Sequence, residues 1–254
     1  MTENKGARAA FLEYLASDGV VFKPQAVNGL EFWTKQPGKS VEQHRRSVTI
    51  GDISANGLIG YATGSWELNP NGKRDSATKF GQYVTIWEKK RDSRFRAVLS
   101  IDITHSEITE TRSKHVVAAD DKRDSNKRGW SVADASMNFQ RVAMSEDALS
   151  GAYDKFIGED ARILLDGLPP LTGRKAIVSE ARRYRSVLFP NKVISFQTAD
   201  IAYMWNPCSY TTSEGIEAGN CLQVWKLRNK KWWIVLGVFA SVTDETRPVL
   251  KGKK

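Results

Sequence analysis

Laid on itself, the sequence matches over most of its length, and a chain that repeats once reads as two domains rather than one large one. GQYVTIW, residues 81–87, aligns with GNCLQVW, residues 219–225, and brings Trp225 onto Trp87 at an offset of 138. Past the next turn, FRAVLSIDI (95–103) aligns with WWIVLGVFA (232–240) at an offset of 137. Upstream, Asp52-Ile53 falls on Asp200-Ile201, YLASDGVVF (14–22) on FIGEDARIL (156–164), and Gly29 on Gly173, at offsets of 148, 142 and 144. The offsets drift as loops change length, but the order never changes, which is a duplicated domain and not a solenoid. The expected division is a first domain over 1–105, a polar linker over 106–130, a second domain over 131–247 and a basic tail over 248–254.

Each copy opens on a helical pattern. In SMNFQRVAMSEDALSGAYDKFI the apolar residues fall at three- and four-residue spacings, which predicts a long amphipathic helix with a bend near Ser145. The first copy begins late: laying Phe11 on Tyr153 puts the first half of this helix upstream of Met1. A trimmed chain, a removed leader and a short first helix all fit. A short segment with an acid at its start follows, Asp18 in one copy and Asp160 in the other. A glycine-led helix comes next, long in GRKAIVSEARRYRSVLF (173–189) and cut short by Pro37-Gly38 in GLEFWTKQPGKS.

The remainder reads as antiparallel strands. HRRSVTIGDISA, LIGYATGSWEL, KFGQYVTIWEKK and FRAVLSIDIT are rich in β-branched and aromatic residues and are separated by turn-forming runs. KVISFQTADIAYMW, SYTTSEGIEAG, NCLQVWKLR and KWWIVLGVFASVT repeat them. Helices first and a curved antiparallel sheet afterwards predict an α+β class: two tandem cone-shaped domains, each a strongly curved sheet packed on N-terminal helices. The linker SEITETRSKHVVAADDKRDSNKRGW is polar and aperiodic.

Charge and composition narrow the function. The net charge of +9 invites a nucleic-acid reading, but Lys+Arg against Asp+Glu is 15 to 11 in residues 1–104, 6 to 5 in 105–130 and 17 to 13 in 131–254. The excess is spread evenly, so no nucleic-acid partner is expected. No apolar run is long enough for a membrane span, and MTENKGARAAF lacks the apolar stretch of a signal peptide, so no membrane partner is expected and compartment stays open. Cys208 and Cys221 lack metal-ligand spacing. They face each other across a hairpin or stay as buried thiols, and the second reading is favoured because cysteine packs as a small hydrophobe.

A helix ending in YL-x-x-D or F-I-x-E-D, a G-x-x-A-I helix, and then GYATGSWE, GQYVTIWEKK and FRAVLSIDI resemble the SnoaL-like, ketosteroid-isomerase-like branch of the nuclear-transport-factor-two-like superfamily. The resemblance covers almost the whole chain, twice. It implies a bent sheet wrapped around helices with a pocket between them, and a role ranging from isomerase or dehydratase to binding or pairing module. Members commonly dimerise through their sheets, which implies an internal pseudo-dimer here, with a further homo-oligomer possible. Export is common in this branch, and a removed leader would fit the late start.

In the isomerase branch, a pocket acid abstracts a proton beside a carbonyl while a tyrosine holds the oxyanion. Asp102, at the end of the last strand of the first copy, is the candidate base, with Tyr83 or Tyr61 as donor. Its counterpart in the second copy is Phe239. The bland reading of Asp102 is a strand-end acid facing water. Asp18 and Asp160 are candidate ligand-binding residues, or acids that set a turn by bonding nearby amides. Tyr61, Thr63 and Trp87 in the first copy, and Tyr203, Trp205, Tyr210 and Trp225 in the second, are candidate pocket residues or core. Alternation puts Tyr83, Thr85 and Trp87 on one face of their strand, and Tyr61 and Thr63 on one face of theirs, without fixing which face looks into the cone. Trp66, Trp232 and Trp233 read as packing.

His44, His105 and His115 are scattered over a turn, a strand end and the linker, so no metal is expected. GYATGSWE is not a nucleophile elbow and no glycine-rich phosphate loop follows a strand, so no cofactor is expected. The leading expectation is a tandem protein binding a small, largely apolar molecule. The alternatives are a proton-transfer enzyme using Asp102 and a structural or partner-binding module.

Overall fold

The computed structural model describes residues 6–38, 43–70, 79–108, 116–117, 131–145, 148–189 and 194–242. The tail and most of the linker, with His115, lie outside them.

The first domain opens with helix α1 (Ala7–Tyr14), which runs straight into strand β1 (Leu15–Phe22). After β2 (Ala26–Asn28) comes α2 (Gly29–Lys35), capped by the Asn28 side chain, which accepts from the Glu31 amide. Then follow β3 (Gln43–Ile53), β4 (Ile59–Asn69), β5 (Lys79–Lys89) and β6 (Phe95–His105). A two-residue strand, β7 (Val116–Val117), pairs in parallel with Ile50-Gly51, so part of the stretch read as linker belongs to the first sheet. The sheet order is β2-β1-β6-β5-β4-β3-β7.

The second domain has α3 (Val132–Ala143) and α4 (Leu149–Phe156), two helices where one bent helix was expected. Ser131 and Asp134 form a reciprocal capping box at the start of α3. Next come β8 (Ile157–Leu165), β9 (Leu171–Thr172), α5 (Arg174–Ala181), β10 (Ser186–Leu188), β11 (Ile194–Gln197), β12 (Ile201–Thr211), β13 (Ile216–Arg228) and β14 (Lys231–Ser241). The sheet order is β10-β12-β13-β14-β8-β9, with β11 also pairing β12.

Four local expectations are corrected. The segments carrying Asp18 and Asp160 are not connectors but strands, and each pairs in parallel with the last strand of its domain. The helix expected over 173–189 stops at Ala181; Ser186–Leu188 instead pairs with Ser209–Thr211, with Val187 buried. SYTTSEGIEAG is no separate strand: it holds the hairpin turn between β12 and β13, closed by the Thr212 amide donating to the Gly215 carbonyl. His44 lies on β3 and not in a turn.

Cys208 and Cys221 are joined in a disulfide between β12 and β13, with Cα atoms 5.8 Å apart, which overturns the favoured reading of two thiols. Cys221 stands opposite Asn206 and Cys208 opposite Gly219, so the two side chains share one face at a diagonal cross-strand spacing that a disulfide can span.

Both faces of both sheets are covered. One face of each meets its own helices. The other face of the first sheet meets that of the second in a single apolar cluster, with Ile59, Tyr61, Val84, Ile86, Leu99, Ile101 and Ile103 on one side, and Ile201, Tyr203, Leu222, Val224, Leu236 and Val238 on the other. Phe22 packs edge-on against Trp205, with centroids 5.3 Å apart.

Polar pairs ring this contact. Lys226 binds Asp52, both nearly buried at 7% and 10% side-chain exposure. The Tyr203 hydroxyl donates to Glu88 at 3.0 Å, Arg162 donates to Gln82 at 2.9 Å, and Asp200 accepts from the Ala55 amide at 2.9 Å.

Candidate functional site

The helix-facing side of the first sheet is set by register. Tyr83 stands opposite Gly64 and Asp102, Thr85 opposite Ala62 and Ser100, and Trp66 opposite Gly81 and Arg46. Period-two alternation therefore gathers His44, Arg46, Trp66, Tyr83, Thr85, Trp87, Ser100 and Asp102 on one surface. Helices α1 and α2 lie over it.

Arg46 is the centre of this surface. Its Nη2 donates to both oxygens of Asp102, at 2.8 and 2.9 Å, and its Nη1 lies 3.4 Å from Ser100 Oγ. Its guanidinium carbon sits 4.6 Å from the Tyr83 ring centroid and 5.1 Å from that of Phe11. Phe11 in turn stacks on Trp33, centroids 4.5 Å apart and planes at 10°. A cation packed against two rings while a carboxylate accepts from it is an arrangement that suits arginine's planar, delocalised head better than lysine's.

Burial raises the pKa of Tyr83, with Arg46 acting against it. His44 stacks on Trp66 at 5.6 Å. Burial first, and then the charge of Arg46, lowers its pKa to about 4, so it is neutral at pH 7. Trp66 is anchored by its indole N–H, which donates to the carbonyls of Ile103 and Gln82 at 3.1 and 3.2 Å.

The corresponding surface of the second sheet is filled. Trp225, fully buried, meets Phe139 and Phe156 with centroids 6.2 and 6.3 Å away. Tyr210 packs edge-on against Phe239 at 4.4 Å and at a tilt against Tyr184 at 5.0 Å. Burial drives the Tyr210 pKa well up, and that of Tyr184 up to about 12. The two cavities lined by Tyr153, Ile163, Leu165 and Tyr210 are about 10 Å³ each, room for one water.

The structure thus separates the residues singled out from sequence. Asp102, Tyr83 and Trp87 lie on the helix-facing surface of the first domain, where Trp87 packs with Leu15 and Val21 and meets Tyr14 edge-on at 6.4 Å. Tyr61, Thr63 and Tyr203 lie on the opposite faces, between the two sheets, and burial raises the pKa of both tyrosines. They line neither cone, because alternation from Tyr83 and Trp225 sends them to the other side. Tyr210 and Trp225 are core of the second domain.

Asp18 and Asp160 sit at the edges, where Asp160 pairs with Arg228 at 2.6 and 3.0 Å and Asp18 lies 3.9 Å from Lys90. Arg228 holds the Asp160 pKa down. Both acids are exposed and pair with side chains at matching positions of the two copies, which explains their repetition without a pocket. Arg46 was missed from sequence. The signal was the alternation of His44, Arg46 and Val48, which puts a cation on the face opposite Arg45.

Among the described residues, no group of three or more His, Cys, Asp or Glu is placed to hold a metal ion, and no helix is long and apolar enough to cross a membrane.

No protein-family model matches the sequence, and no curated protein matches it. Solved structures similar to it include a nuclear-transport-factor-two-like protein of unknown function from Pseudomonas putida, at 7% identity over 45% of this chain and 87% of that one, TM-score 0.39. Another is a protein of unknown function from Mycobacterium tuberculosis, at 16% identity over 46% of this chain and 80% of that one, TM-score 0.38. A third is a protein of unknown function with a cystatin-like fold from Nostoc punctiforme, at 12% identity over 47% of this chain and 92% of that one, TM-score 0.37. Each match spans less than half of this chain. The chain itself is a tandem of two α+β domains, each a sheet packed on helices.

Proposed function

We propose that the first domain binds a small, largely apolar molecule with a polar end on the helix-facing surface of its sheet, and that the second domain is its internal pseudo-dimer partner. The observation that supports this is the contrast between equivalent positions. Where the first sheet carries Tyr83 opposite Asp102, the second carries Cys221 opposite Phe239, and Cys221 is tied up in a disulfide. Aromatic walls with a few convergent polar groups are the usual form of a small-molecule site, and the helix-facing surface of the first domain combines them.

A proton-transfer enzyme is the second reading, favoured by Tyr83 standing directly opposite Asp102. It is the weaker one. Each Asp102 oxygen already accepts from Arg46 in an ion pair, and Tyr61 is on the wrong face to serve as donor.

Native mass spectrometry of the purified chain, before and after denaturing extraction, tests the binding reading. A small molecule carried by the native chain and lost from a Tyr83→Ala variant supports it. A bare chain whose melting temperature is unmoved by a panel of small apolar compounds sinks it.

A further inference from the structure

We infer that the molecule held on the first sheet is a monoanion, a flat apolar body ending in a carboxylate that seats on the Nε side of Arg46. The inference rests on the binding reading above and adds to it the chemical class of the ligand.

Arginine presents five N–H donors in one plane. Here the rings of Tyr83 and Phe11 pack against the guanidinium, with centroids 4.6 and 5.1 Å from its central carbon, and its N–H groups donate outward along its edge. Asp102 uses Nη2 alone, through both of its oxygens, and Ser100 sits at the long distance of 3.4 Å from Nη1. Nε is buried and has no hydrogen-bond partner among the described residues, and the whole side chain is only 12% exposed. A donor left bare at this depth is costly, and such groups mark places where a water, an ion or a ligand belongs.

A second bare donor lies on the same stack. Trp33 Nε1 is buried without an acceptor among the described residues, and Phe11 packs against both Trp33 and Arg46. Phe11 is thus flanked by two unsatisfied N–H groups, and it sits on a helix of only eight residues. It is the ring that must shift to admit a ligand, and a ligand ring in its place would stack on Trp33 while its acceptor oxygens reach Arg46.

The surrounding charge selects the sign. Lys23 lies over Phe32 at 6.0 Å, Arg8 is held against α2 by the carbonyls of Trp33 and Thr34, and Arg46 is central, whereas Asp102 neutralises one of these three cations. His44 adds no charge at pH 7. Asp102 also limits the charge a ligand can bring. A carboxylate matches the planar edge of a guanidinium with a single negative charge, while a dianionic phosphate would face Asp102 at close range.

The test is titration calorimetry of the full chain with three probes: benzoate, benzamide and inorganic phosphate. Benzoate is expected to bind at least tenfold more tightly than benzamide, with phosphate no tighter than benzamide. In the double variant Arg46→Gln/Asp102→Asn, which removes both charges together, benzoate should fall to the level of benzamide. Phe11→Ala, which keeps Arg46 and Asp102, should tighten benzoate and decides the matter should the double variant fail to fold. Benzamide binding as tightly as benzoate would overturn the carboxylate while leaving the binding reading standing. Phosphate matching benzoate would overturn it too. No binding of any probe, to the natural chain or to Phe11→Ala, would overturn both.

Discussion

Tyr83 and Cys221 hold the same place in the two sheets, Tyr83 across from Asp102 and Cys221 across from Phe239. One copy uses the position for an aromatic ring packed on an ion pair and the other for half of a cross-link. Duplication followed by this divergence leaves one polar surface and one filled core.

The cross-link carries a stability prediction. It closes a 13-residue separation at the β12–β13 hairpin, and loop-closure entropy for a ring of that size is worth about 3 kcal/mol. Replacing both Cys208 and Cys221 by Ala should lower unfolding stability by about that amount in urea titration. The intrinsic tryptophan fluorescence of the folded chain should be unchanged at low urea. An unchanged midpoint would mean that the bridge constrains nothing the strands do not already hold.

His44 makes stability depend on pH. Its pKa in the folded chain, about 4, lies below the usual 6.5, so the unfolded chain binds the extra proton first as pH falls. Stability should therefore be full above about pH 6.5 and decline as the pH falls toward 4. About 3 kcal/mol is at stake. His44→Gln should flatten the decline between those limits, measured as unfolding midpoint against pH. An identical slope in the variant would move the effect to other groups.

Much of the fold could be read from sequence, because β3 to β6 are rich in β-branched and aromatic residues between clear turn signals and the repeat supports each assignment twice. Strands β1 and β8 could not: LASDGVVF and IGEDARILL break alternation with an exposed acid, and their partners lie far downstream. Strand β10 was hidden by the arginines of ARRYR, which extend the helical pattern beyond Ala181. The orientation of Tyr61 against Tyr83 was illegible for a physical reason. Both faces of each sheet are buried, one by helices and one by the other sheet, so hydrophobicity does not distinguish them. Arg46 was invisible because its partner Asp102 is 56 residues away and a cation near a strand start reads as solvated.

Lys226 and Asp52 tie the two sheets together where neither is reached by much solvent. Removing one partner of such a pair leaves the other charge buried alone, at a cost of about 3–5 kcal/mol. Lys226→Met should destabilise the chain by that order, and Lys226→Met/Asp52→Asn should recover most of the loss. If the double variant is as unstable as the single one, the cost comes from repacking and not from the stranded carboxylate.

Two glycines should respond to alanine with opposite signs. A Cβ on Gly81 would come within 1.9 Å of the Ile103 carbonyl oxygen and 2.5 Å of the Trp66 ring, and neither a sheet carbonyl nor a doubly anchored indole can yield cheaply. Gly81→Ala should therefore cost about 1–3 kcal/mol as overpacking. Because His44 stacks on the indole that must move, its pKa should rise toward 6.5 in the same variant, readable by NMR titration. Gly151, inside α4, meets nothing within 4 Å of an added Cβ, so Gly151→Ala should stabilise by about 0.5–1 kcal/mol through the lower helix propensity of glycine. A Gly81→Ala variant that is stable but shows the His44 shift would mean that Trp66 positions the imidazole without supporting the sheet; one that is unstable with His44 unmoved would mean the reverse.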